Sequence, residues 1–296
     1  MTIAIGWVRP TRAAAELLLA CDSRLRSRGA LDQGQKLFRL KRDDCCLAFC
    51  GDAQVAYPLF VQVATTLDNY VKTRSRGEDI LRIRSLIKLL LENMIGSWDL
   101  SEAAKVEELE KTKILFGGWS WVEKRFDVGF FAYTRGTIRF HHQTMSLPYP
   151  WAEKNKSLVF IGDYKRQYTE ILGSVLRNKY GDKQPPGGHR EVIDLHYEPI
   201  EALHVLLGEA KDKGNFPAIG GAPQLVKVYS HASSLPFVIR TSAADHYLLG
   251  RKLFDWEKTE YPILNLHSQP PSVLYPMSEI PVPAGLVETD GVPAHR

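Results

Sequence analysis

Apolar residues come in short runs over the first fifty positions. Ile3 to Val8 reads as a strand, and Glu16-Leu17-Leu18-Leu19-Ala20-Cys21 as a second, apolar on both faces. The mixed-polarity turn from Pro10 to Ala15 makes the two a hairpin. Lys36 to Leu40 predicts a third strand, and Lys41 to Asp44 a polar turn. Cys45 to Cys50 predicts a fourth strand, apolar throughout and so covered on both faces. The period then lengthens. Asp52 stands where an N-cap carboxylate would accept from the first free N–H groups of a helix. Val55, Leu59, Val63 and Leu67 follow at helical spacing, and Pro58 falls near the first turns, where proline is least disruptive. The charged stretch Lys72 to Gly77 ends that helix, and a second is expected over Glu78 to Trp98 on the spacing of Ile80, Ile83, Ile87 and Leu91.

A block of strands comes next: Lys113 to Gly118, Arg125 to Tyr133, a turn at Thr134-Arg135-Gly136, Thr137 to His142, and Ser157 to Gly162. Helices are predicted over Tyr164 to Tyr180 and from Pro199 to about Lys213, with the loop Gly181 to Arg190 between them. Gln224 to Tyr229, Leu235 to Thr241 and, more weakly, His246 to Phe254 read as strands. From Tyr261 onward the prolines 262, 270, 271, 276, 281, 283 and 293 predict an extended tail with no helix or central strand. The expected division is a folded domain over 2–254 and a proline-rich extension over 255–296. Paired runs of strands and helices argue for an α+β protein with two antiparallel sheets flanked by helices rather than alternating βαβ units.

Composition changes this picture little. The 296 residues are 44% hydrophobic and 24% charged, ordinary for a globular domain. No apolar run approaches the ~20 residues of a membrane helix, and neither a basic leader nor a small-residue cleavage site opens the chain, so no membrane association and a cytoplasmic location are expected. Net charge is +4. The basic clusters Arg24 to Arg28 and Arg82 to Arg84 lack interleaved aromatics, so no nucleic-acid partner is expected. Cys21, Cys45, Cys46 and Cys50 contain no Cys-x-x-Cys pair, which argues for buried free thiols rather than a metal or redox site. His141 and His142 are adjacent on a predicted strand and so point to opposite faces. Ser23 has no local base to make it a nucleophile.

Four segments in order carry a resemblance. Leu18 to Arg24 is similar to an apolar strand ending in an Asp-Ser-Arg corner. Gln35 to Leu40 is similar to a short strand beginning in lysine. Ala48 to Ala53 matches a strand-to-helix corner where a glycine precedes the first helix, and Met1 to Ile5 a start from which only the initiator methionine is removed. Together they resemble the proteasome β-subunit family, bacterial proteasome-like peptidases included, over about residues 2 to 254. The resemblance implies a four-layer αββα sandwich of the N-terminal nucleophile type. It also implies a homo-oligomeric ring or open helical ring, peptide or unfolded-protein substrates, and no metal or organic cofactor, and leaves open whether an ATPase partner feeds the assembly.

It implies a chemistry as well. Removal of Met1 gives Thr2 a free α-amine, whose ordinary pKa is about 7.7–8.0. The Thr2 hydroxyl attacks an amide carbonyl while that amine takes its proton. Lys36 is the fixed cation beside Thr2, Asp22 its counter-ion, and the Gly51 N–H the donor to the oxyanion. Lys36→Ala should then abolish turnover and leave the fold intact. Two departures stand against full activity. Asp163 occupies the place of a family serine: either it takes over part of that serine's catalytic role, or its added carboxylate raises the pKa of the terminal amine and weakens it as a base. Phe216 and Ile219 fall where an acid and a serine are expected before Gly220-Gly221. Beside the threonine peptidase stand a ring or scaffold subunit of the same family that has lost catalysis, and an amidohydrolase acting on a small amide.

Overall fold

The computed structural model describes residues 2–11, 14–26, 29–134, 136–147, 158–181 and 194–276. Met1, Ser27-Arg28, Arg135, the double-proline loop after Gly181, and Pro281, Pro283 and Pro293 lie outside the described residues.

Strands β1 (Ile3–Pro10) and β2 (Ala15–Cys21) form the expected hairpin, with Ala4 opposite Cys21 and Pro10 opposite Ala15. A two-stranded ribbon follows, β3 (Leu25–Arg26) with β4 (Ala30–Leu31), then β5 (Leu37–Arg39) and β6 (Cys45–Cys50). Helix α1 (Ala53–Asn69) is capped by the Asp52 carboxylate, which accepts from Gln54 N. The charged stretch expected as a loop holds one helical turn, α2 (Val71–Arg74). Helix α3 (Ile80–Gly96) is capped by Asp79, and α4 (Glu102–Leu109) by Ser101. Caps of this kind contribute about 1 kcal/mol each. Then come β7 (Lys113–Ser120), β8 (Arg125–Thr134), β9 (Thr137–His141) and β10 (Val159–Gly162). Helices α5 (Lys165–Tyr180) and α6 (Glu198–Lys213) follow, α6 with proline in its first turn. The rest is strand: β11 (Gln224–Tyr229), β12 (Ser233–Pro236), β13 (Val238–Arg240), β14 (His246–Leu248), β15 (Arg251–Lys252), β16 (Ile263–Asn265) and β17 (Ser272–Leu274).

The strands pair as β10-β1-β2-β11-β12 and β5-β6-β7-β8-β9, both antiparallel, and as β15-β14-β13-β16-β17 beside the β3-β4 ribbon. The third five-stranded sheet is mixed, because β13 and β16 run parallel. This corrects the expected four-layer αββα sandwich of two antiparallel sheets: the described residues form a β-rich arrangement with four sheets. The reason lies in the C-terminal third. Proline bars a strand only where its missing N–H is needed. Pro262 sits just outside β16 and gives its carbonyl to Val238 N at 2.9 Å, so the segment expected to be a tail supplies an interior strand.

Three apolar clusters hold these elements. The period of two along a strand sends Ile3, Ile5 and Trp7 toward α5 and α6, and Ala4 toward the second sheet. Leu17, Leu19, Val226 and Val228 meet Leu37, Cys46, Ala48 and Leu115 in the middle cluster. The other face of the second sheet packs Leu47, Phe49 and Phe116 against Val63, Ile83 and Ile87 of α1 and α3. Among the described residues no helix is long and apolar enough to cross a membrane.

Candidate functional site around Thr2

The start of β1 is held on both sides. Ile3 pairs with Gly162 on β10, and Ala4 with Cys21 on β2. Thr2 therefore lies at the strand ends, where two loops turn away from the sheet, and its neighbours come from the ends of β2 and β10. The Asp163 N–H donates to the Thr2 carbonyl at 3.0 Å. That approach needs a glycine before it: at Gly162, with φ +109°, a Cβ would sit 1.8 Å from the same carbonyl oxygen.

Asp22 follows β2 directly. Its carboxylate accepts from Ile3 N (3.1 Å) and Lys36 Nζ (2.9 Å) on Oδ1, and from Arg24 N (3.1 Å) and Gly220 N (3.2 Å) on Oδ2. Four N–H donors on two oxygens are the arrangement an ionised, acceptor-only carboxylate takes. Lys36 precedes β5. Its Nζ donates to Thr2 Oγ1 at 2.6 Å and to Asp22 Oδ1 at 2.9 Å. The Lys36 and Asp22 side chains are both 0% exposed, and Thr2 is 1% exposed. A buried ion pair is sustained only when further hydrogen bonds answer the remaining donors and acceptors, and here the Thr2 hydroxyl and three backbone N–H groups do so.

Thr2, Asp22 and Lys36 thus meet in one hydrogen-bonded row, though 14 and 34 positions separate Lys36 from Asp22 and from Thr2. Gly51 follows β6 with φ +118°, and a Cβ there would meet Thr112 Oγ1 at 2.6 Å and Thr112 Cα at 2.7 Å. Burial pushes the Cys50 thiol up to about 12, with Lys113 acting against it and Asp163 adding a smaller raising effect. Asp163 meets Thr2 through its backbone.

Phe216 and Ile219 have packing roles. Ile219 is buried in the cluster under α5 and α6. Phe216 and Tyr164, the residue before α5, pack edge to face with centroids 4.9 Å apart, and both hold positive φ, 58° and 57°. Non-glycine residues rarely adopt that region, and strain of this kind gathers at functional loops. The two rings tie the loop that presents Asp163 N–H to the loop that presents Gly220 N–H.

Of the other candidates, Ser23 donates to the Ala222 carbonyl and is buried. His141 stacks on Phe130, while His142 sits between Asp127 and Arg84. Arg24 forks onto Asp32 at 2.5 and 2.8 Å. The four cysteines are free and buried. Sequence reasoning missed two contributors: Gly220, whose N–H completes the shell of Asp22, and Gln224, a buried amide at the start of β11. The Gly-Gly pair marked that loop, but nothing local marks Gln224. No protein-family model matches the chain, and no curated protein matches it.

Proposed function

We propose that this chain is an N-terminal threonine hydrolase that cleaves peptide bonds, with Thr2 as nucleophile once Met1 is removed. The observation that carries the reading is the Lys36 ammonium, fully buried, 2.6 Å from Thr2 Oγ1 and paired with Asp22. A fixed cation at that distance favours the oxygen as nucleophile and disfavours a second positive charge on the neighbouring α-amine.

In the proposed reaction Thr2 Oγ1 bonds to the carbonyl carbon of the substrate amide, and its proton passes to the Thr2 α-amine, directly or through one water. The Gly51 N–H stabilises the tetrahedral oxyanion; losing one such donor lowers rates by ~10²–10³. Collapse breaks the C–N bond, and the leaving amine takes the proton back from the α-ammonium. Water, deprotonated by the same amine, then hydrolyses the Thr2 ester. The Asp163 N–H holds the Thr2 carbonyl and so fixes the backbone that carries this amine. The resemblance to proteasome β-subunits supports the assignment residue by residue for Thr2, Asp22, Lys36 and Gly51.

A second reading, a non-catalytic ring or scaffold subunit, is favoured by Phe216 and Ile219, which fill with apolar packing the positions where the resemblance implies an acid and a serine. One experiment separates the two. The intact mass of protein expressed from its own start is measured before and after exposure to a peptide epoxyketone, which reacts with a hydroxyl and a free α-amine on the same terminal residue. Loss of Met1 and a single adduct on Thr2 are expected. A retained Met1, or a free Thr2 that never labels, favours the scaffold.

A further inference from the structure

We propose that Gln224 is the positioning residue of the Thr2 site: its carboxamide holds the backbones of Asp22 and Lys36 together and so sets the distance from Lys36 Nζ to Thr2 Oγ1. The kinetic part of this inference rests on the reading of Thr2 as nucleophile; the geometric part stands on the contacts alone.

Gln224 is fully buried and opens β11, opposite Cys21 of β2. Its Nε2 donates to the Asp22 carbonyl at 3.2 Å and to the Gly34 carbonyl at 2.8 Å. Its Oε1 accepts from Lys36 N at 3.2 Å and from Leu37 N at 3.3 Å. A carboxamide has two donors and two acceptor sites, and all four are used. Only one orientation works, because a flipped amide would face two carbonyls with its oxygen and two N–H groups with its nitrogen.

The two segments it joins belong to different sheets. Asp22 leaves β2 of the first sheet, whereas Lys36 and Leu37 enter β5 at the edge of the second. The Asp22–Lys36 ion pair spans the same gap at its side-chain ends. Gln224 spans it at the main chain, which fixes where each side chain starts. Lys36 then reaches with a flexible four-carbon stem to two acceptors, at 2.6 and 2.9 Å. A shift of ~1 Å at its Cα would break the shorter contact, and misplacement of that size can cost ~10² in rate. Gln224 hydrogen-bonds to neither Thr2 nor Lys36 Nζ, so its action is on geometry.

The test uses the full chain with Gln224→Met, which keeps the volume and removes the hydrogen bonds, and Gln224→Asn, which keeps the amide one methylene too short. The first readout is the Lys36 ammonium resonance in protein labelled with ¹⁵N-lysine, which needs no turnover. It should shift, or exchange too fast to see, in both variants. The second is Thr2 labelling by the epoxyketone. The saturating rate should fall about 10²-fold, with the half-saturating concentration nearly unchanged and the pH midpoint displaced. A purely structural role would lower the urea midpoint and leave the pH profile alone. A folded Gln224→Met with the Lys36 resonance, labelling rate and pH profile of the wild type overturns the proposal. If that variant does not fold, the same result in Gln224→Asn overturns it. Wild-type Thr2 that never labels sinks the nucleophile reading instead and leaves the Lys36 resonance to decide the role of Gln224.

Discussion

An ammonium group shut away from solvent must find its counter-charge within hydrogen-bond reach, and Lys36 finds it in Asp22. Removing one member of such a pair leaves the other buried and uncompensated, which typically costs about 3–5 kcal/mol. Lys36→Met should therefore destabilise the protein by about that much, and Asp22→Asn comparably. The double variant should lose clearly less than the sum, since neither charge is then stranded. Urea unfolding of the four proteins measures the coupling; additive losses would mean that the pair does not act as a unit. This bears on the expectation that Lys36→Ala silences the chain with its fold intact. Full burial makes a stability loss part of that variant, so its activity must be read beside its unfolding midpoint. The residues of this row were legible only through the resemblance, which rests on the apolar run before Asp22, the short strand after Lys36 and the start of the chain at Thr2. Gln224 was not legible, since a glutamine at the head of an apolar strand looks like any polar edge residue until its four partners are seen.

Elements with a strong period were equally legible. The burial of Val55, Leu59, Val63 and Leu67 on α1, and of Ile80, Ile83, Ile87 and Leu91 on α3, follows the spacing that predicted them. Helix α4 was missed because it is short and half polar, with Leu109 its one buried apolar side chain. Phe216 was legible only as an absent acid; its ring contact with Tyr164 depends on two positive-φ turns that the sequence does not announce. Helix α6 carries His204, whose imidazole burial pushes below its ordinary pKa. The unfolded chain takes up this proton near pH 6.5, and the folded chain only at lower pH. Between those two values the unfolded state binds more protons, so stability falls as pH drops through about 6.5 and levels off below the folded value. The melting temperature of the wild type should thus fall more steeply between about pH 7.5 and 5.5 than that of His204→Gln. Equal slopes would remove His204 from the acid sensitivity.

At the scale of the whole molecule, the segment after Tyr261 is where composition misled. A density of prolines argues against regular structure on average, but what decides is where each missing N–H falls. Val238 N bonds to Pro262 O, and Leu266 N to Arg240 O, both at 2.9 Å, so β16 is stitched to β13 at its two ends. Leu264 is fully buried and Leu266 nearly so, in the cluster that also holds Ile3, Ile5 and Trp7. The C-terminal strands and the strand that follows Thr2 thus share one core. A chain ending at Lys258 would lose both leucines, each contributing roughly 1.5–3 kcal/mol by burial, and would uncover Phe237 and Ile239. Against a typical total of about 5–15 kcal/mol, such a truncation should cut the urea midpoint sharply or prevent folding, and should abolish Thr2 labelling with it. A truncated protein that unfolds at the wild-type midpoint would mean that β16 rests on the molecule without supporting it, and that the cluster beneath β1 is sustained by α5 and α6 alone.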